Sequence, residues 1–178
     1  MLRSGYAATG LVELLRTAGV PKGSFYNHFE SKEAFGLEIV RRYYAAHDGR
    51  LASLAAETDR SALERLRAYF DHLLEIAERA APQTRGCLLG MLALEMAGSS
   101  EPLRSLVDDC FARWQARVAE LLRQAQEAGE IDGGQDAQQL AGMLLQGWEG
   151  ALMRARVSQD LQGLLDFIAF AFTRMLAP

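Results

Sequence analysis

The sequence predicts an all-α fold in two parts, a helix-turn-helix unit at the N-terminus on a larger C-terminal helical bundle. Three observations carry that expectation. From Phe35 to Met175 apolar residues recur at three- and four-residue spacing instead of alternating. Helix-start and helix-stop residues, among them Ser61 with Glu64, Pro102 and Gly129, punctuate the pattern at helix-length intervals. The stretch from Thr9 to Phe35 fits two short helices around the small-residue turn Ala18-Gly19-Val20. The chain holds no strand alternation, internal repeat or low-complexity tract.

In chain order, Thr9 is the expected N-cap of a helix carrying Leu11, Leu14 and Leu15. Pro21 suits the first position of a second helix reaching about His28, and Ser31 is the expected cap of a third that starts at Lys32 and runs to about Ala56. Lys22 and Lys32 are the only lysines beside seventeen arginines. Each falls in a first helical turn, where a cation opposes the helix dipole, so local stability does not explain them. Either they contact the backbone phosphates of a nucleic acid, or they are solvated surface lysines.

At these residues the chain resembles a known family. Gly5-Tyr6-Ala7-Ala8-Thr9, Ala18-Gly19-Val20, Lys22-Gly23-Ser24-Phe25-Tyr26, His28-Phe29 and Ser31-Lys32-Glu33-Ala34 are similar to the DNA-binding signature of TetR/AcrR bacterial transcription repressors. The resemblance implies that Thr9 and Lys32 hold phosphates. It also implies that Lys22, Gly23, Ser24, Tyr26 and His28 line the groove face, with Phe25 and Phe29 in the core. Two departures stand out. Pro21 replaces the usual Ser or Thr cap, and only Met1 to Ser4 precede Gly5 where the family has a first helix. That helix would cover Leu11, Leu14, Val20, Phe25 and Phe29. Without it, the expectation is a loosened motif that binds DNA poorly until an upstream segment restores the helix, unless Met1 to Ser4 suffice as a cover.

The 178 residues, 49% hydrophobic and 24% charged, suit a folded chain with a sizeable core. No apolar run approaches the ~18 residues of a membrane span, and no signal peptide is evident, so the expected compartment is the cytoplasm. Cys87 and Cys110 are too few for a disulfide framework. The net charge of −4 divides unevenly: residues 1–50 hold 7 basic and 5 acidic side chains, leaving 12 and 18 for the remainder. The basic share sits with the motif, which points to a few positioned phosphate contacts and two paired copies more than to a broad basic surface.

The expected division is residues 1–46 for the DNA-binding unit and 47–178 for a ligand-binding and dimerisation body. Ser61 and Glu64 form a capping box for a helix with Leu66, Tyr69, Phe70 and Leu73 on one face, ended by Pro82. Gly86 to Ala97 is apolar on most sides and should be central. Pro102 opens a long amphipathic helix closing at Gly129. A helix through Leu140 to Ala155 follows, and a last one starts near Gln162.

For the body, Tyr69, Phe70, Met91, Phe111, Trp114 and Trp148 are candidates to line an apolar cavity for a hydrophobic or aromatic small molecule. Position by position they suit a solid core equally well. Gly147 and Ala151, with Phe167 and Phe172, are the expected dimer face, since small residues permit close approach and the last helix has more apolar surface than one bundle contact uses. Cys87, in a first helical turn beside Arg85, is a candidate redox or electrophile sensor because both features lower a thiol pKa. Arg85-Gly86-Cys87-Leu88 followed by Leu94-Glu95 also resembles family members that respond to electrophiles. His28, His47 and His72 lack metal-ligand spacing, and no phosphate loop, dinucleotide fingerprint or nucleophile elbow occurs. The expectation is therefore no catalytic residue, metal or cofactor. It is a repressor that binds a palindromic double-stranded operator as a homodimer and is released by an effector. The alternative is a helical small-molecule-binding or electrophile-sensing protein that in this form does not bind DNA.

Overall fold

The computed structural model describes residues 6, 10–82, 86–96 and 98–178, and regular structure among them is helical throughout. The order is α1 (Leu11–Ala18), α2 (Lys22–Tyr26), α3 (Lys32–Ala55), α4 (Ala62–Arg79), α5 (Leu88–Met96), α6 (Glu101–Glu127), α7 (Ala137–Ser158) and α8 (Gln162–Phe170), closed by a π-helical turn (Ala171–Met175). No helix among the described residues is long and apolar enough to cross a membrane.

The caps hold α1 to α3 in place. The N-cap of α1 is Gly10, which offers no side-chain bond, and Thr9, the expected cap, lies outside the described residues. Gly19 adopts φ 66, the left-handed conformation that ends α1 and turns the chain toward α2. Pro21 is the N-cap of α2 and not its first residue, and α2 ends two residues short of the expected His28. Ser31 caps α3 as the sequence predicts, accepting the Ala34 amide at 3.0 Å.

α3 is the mechanical link. Its 24 residues form a rod of ~36 Å that runs unbroken past position 46, so the expected domain boundary falls inside one helix. Asp48 fixes the rod to α6: Arg117 donates to its carboxylate at 3.3 Å and Arg113 pairs with it at 3.6 Å. The Arg113 guanidinium also lies 4.9 Å from the centre of the Tyr44 ring. Near the other end, the Ser100 hydroxyl that caps α6 donates to Glu33.

In the body, α4 has the predicted Ser61 and Glu64 capping box, and a second cap no sequence pattern announced. Glu130, from the loop before α7, accepts from the Ser61 hydroxyl at 2.6 Å and from the Ala62 and Leu63 amides at 3.2 and 3.0 Å. A carboxylate there satisfies free helix donors and complements the dipole. α5 buries Leu88, Leu89 and Leu92 but leaves Leu94 85% exposed, so it is half-covered and not central as expected. α7 and α8 pack so closely that a Cβ on Gly147 would lie 2.4 Å from the Phe167 ring. Only glycine permits that approach.

Candidate nucleic-acid interface and buried cavity

A small aromatic core positions the helix-turn-helix surface. Phe25 is buried, with ring centroids 5.3 Å from Tyr26, 5.3 Å from Phe29 and 5.4 Å from Phe35. That core turns Lys22, Gly23, Tyr26 and His28 outward on one exposed surface, with Ser24 half-buried between them. Of the side chains expected to lie uncovered, Phe25 is buried, Leu11, Leu14 and Phe29 are half-buried, and Val20 is exposed. Lys32 differs from expectation. Its ammonium donates to the Tyr6 carbonyl at 2.7 Å and sits 4.6 Å from the Tyr6 ring centre, while the Tyr6 hydroxyl donates to the Lys32 carbonyl at 2.7 Å. Lys32 therefore ties the N-terminal segment to α3 and is not a freely offered cation.

Farther along α3, Tyr43 and His47 face into the body. With Leu73, Cys87, Trp114, Trp148 and Leu152 they wall an inner chamber of about 110 Å³. Gly86, Cys87 and Leu152 separate it from an outer cleft of about 350 Å³ between α5 and α7, which Met91, Leu94, Glu149, Met153 and Arg156 also line. The chamber is aromatic: Tyr43 and His47 are 4.6 Å apart, and His47 lies 6.1 Å from Trp114. Glu149 Oε1 is buried without a hydrogen-bond partner, and behind the chamber wall the Tyr69 hydroxyl and the Trp114 indole nitrogen meet no polar group but each other. An orphaned buried donor or acceptor costs ~1–3 kcal/mol, which a bound ligand group can recover.

Burial sets the electrostatics. Glu149 is pushed up to about 7 by loss of solvent, partly offset by the hydrogen bond from Cys87. Burial also raises the Cys87 thiol, and the neighbouring Glu149 carboxyl raises it further. This reverses the acidic thiol expected from sequence; Arg85, invoked there, lies outside the described residues. Burial raises Tyr43 as well, whose hydroxyl meets Cys87 and the Leu88 backbone, so α3, α5 and α7 converge on one cluster. His47 is lowered, first by burial and then by His72, which favours neutral imidazole in the chamber.

The six ligand candidates separate. Trp114 and Trp148 wall the chamber and Met91 the cleft, while Phe111 lies by a third hollow with Gln115 and Glu149. Tyr69 and Phe70 are fully buried core, with Phe70 edge-to-face against Trp148 and Phe172 and tilted against Phe167. Sequence reasoning missed Tyr43, His47, Glu149 and Arg156. Its available signals were the four-residue spacing of the first pair and a lone acid inside an apolar helix. The expected dimer residues are engaged within the chain: Gly147 against Phe167, Ala151 against the core, and Phe172 between Phe70 and Arg67. The exposed apolar stripe is instead Met143, Met153 and Val157 on α7, with Leu165 and Phe170 on α8. Among the described residues no group of three His, Cys, Asp or Glu is placed to hold a metal.

Comparison with known proteins agrees with this geometry. Residues 1–39 match bacterial regulatory proteins of the tetR family, and residues 62–170 match the tetracyclin repressor-like C-terminal domain. The HTH-type transcriptional repressor NemR of Escherichia coli K12 is 36% identical over 174 residues, covering 94% of this chain and 84% of that one. The transcriptional regulator AcuR of Cereibacter sphaeroides is 35% identical over 157 residues, covering 88% and 71%. A solved structure, the regulatory protein TetR from Rhodobacter sphaeroides, superposes with a TM-score of 0.89 at 34% identity, covering 96% and 90%.

Proposed function

Because the chain belongs to the TetR family of bacterial regulatory proteins, we propose that it is a DNA-binding transcription repressor released from a palindromic operator by a small-molecule effector, and not an enzyme. The observation that carries the mechanism is α3. It begins at the DNA-reading motif and, ~16 Å and ~22 Å along its axis, presents Tyr43 and His47 to the chamber. A ligand that moves those side chains moves the reading helix, and a ligand with different affinity for the two positions shifts their populations.

The DNA-reading unit is assigned to residues 1–46 and the body to 47–178, with α3 shared. Lys22, Gly23, Ser24, Tyr26 and His28 face the groove, and Thr9 and Lys32 serve the backbone, Lys32 on release from Tyr6. Two copies pair through Met143, Met153, Val157, Leu165 and Phe170, whose exposure on two adjacent helices matches a bundle contact. Pairing sets two reading helices about 34 Å apart on successive major-groove half-sites.

Footprinting on the DNA flanking the gene, over a salt series, tests the reading. Protection of two half-sites, weakening steeply as salt rises, is expected. No protection at low salt would leave a ligand-binding protein without an operator. Sedimentation of Phe170→Glu tests the pairing: the variant should run as a ~20 kDa monomer, and an unchanged dimer rejects this face.

A further inference from the structure

The outer cleft holds a permanent positive charge. Arg156, half-buried on α7, directs Nη1 to the Met91 sulfur at 3.1 Å, and no carboxylate among the described residues pairs with it. A guanidinium stays charged at all relevant pH and presents a planar fork suited to a carboxylate, whereas a thioether is a weak acceptor. Around it the walls are apolar, from Met91, Leu94, Leu152 and Met153, and the volume of about 350 Å³ lies within the roughly 300–1,000 Å³ of small-molecule sites. Seven residues back along the same helix, ~10 Å in axial rise, Glu149 also lines the cleft, and its Oε1 is buried without a hydrogen-bond partner.

We propose that the cleft binds an amphiphilic organic carboxylate: its charged group forks onto Arg156, its apolar chain lies on Met91, Leu94 and Leu152, and a distal hydroxyl meets Glu149. The two ends decide the sign of the ligand. A cation would face the permanent charge of Arg156. An anion meets little opposition from Glu149, whose carboxyl burial holds protonated against the opposing hydrogen bond from Cys87. The chain of such a ligand presses on Cys87 and Leu152, the wall shared with the chamber behind, and so reaches Tyr43 and His47 on α3. Its role as effector rests on the repressor reading; its binding does not.

The test is isothermal titration of the full chain, without DNA, with octanoate, ω-hydroxyoctanoate, octanol and octylamine. It is run about one unit below the Glu149 midpoint near 7. Octanoate should bind roughly tenfold or more tighter than octanol, octylamine should not bind, and the hydroxy acid should bind tightest. Arg156→Gln should abolish the preference for both carboxylates without weakening octanol, and Arg156→Lys should restore part of it. Glu149→Gln should remove only the advantage of the hydroxyl. Equal affinity for octanoate and octanol, or an unaltered preference in Arg156→Gln, overturns the proposal. Operator release is measured separately: carboxylates that bind and leave the DNA complex intact would refute the effector role while the cleft assignment stands.

Discussion

The two ends of α3 work by opposite physical means. At the motif Lys22, Gly23, Tyr26 and His28, proposed to face the groove, are exposed, and the buried apolar side chains near them among the described residues are Tyr6, Leu15 and Phe25. In the body the informative groups are buried: Glu149 keeps a carboxyl oxygen without a partner, and burial pushes its carboxyl up to about 7. A surface that reads DNA offers its side chains to water until the partner arrives. A cavity that senses a ligand keeps its polar groups unsatisfied at some cost in stability, and that cost makes the site selective. Substitutions should therefore affect binding at one end and stability at the other.

The largest expected effect separates them on stability alone. Phe70, fully buried against Trp148, Phe167 and Phe172, should on change to Ala destabilise the chain by ~3–5 kcal/mol in urea unfolding. A loss under ~1 kcal/mol would mean that this cluster is loosely packed.

Next comes the pH dependence of Glu149. Its folded value lies above the unfolded one, so its favourable contribution is complete below about 4.5 and is lost as pH rises through about 7. Stability should fall across that window by on the order of 3 kcal/mol, and Glu149→Gln should abolish this component. His47, lowered by burial, contributes with the opposite sign, losing stability as pH falls, so the difference between wild type and variant isolates Glu149. Parallel pH profiles for the two proteins would show that Glu149 is not held near neutral.

At the motif, Tyr26→Ala should weaken operator binding by ~1–3 kcal/mol in a gel shift while unfolding stays within about 0.5 kcal/mol of wild type. A matching loss of stability would make Tyr26, 49% exposed, a structural residue after all. The smallest effect belongs to Val12, exposed on the outer side of α1: Val12→Ser should leave unfolding within about 0.5 kcal/mol.

The same contrast governs how much could be read in advance. The all-α class, the caps at Ser31 and Ser61 and the turn at Gly19 all follow from local signals, because each depends on neighbours within a few residues. Where expectation and structure part, a distant partner is responsible. Lys32 bonds Tyr6, Gly147 accommodates Phe167, and the Cys87 thiol is raised instead of lowered because α7 brings Glu149 against it and excludes water.

By itself, then, the sequence determined the helices and their order, since periodicity and capping act through contacts between near neighbours. Tertiary structure alone decided which aromatic residues wall a cavity and which are solid core. It also decided which apolar stripe remains uncovered on α7 and α8, and where Glu149 and Arg156 meet a shared cleft. Cavities and pKa shifts are properties of what surrounds a side chain on every side, and most of those surroundings come from elsewhere in the chain.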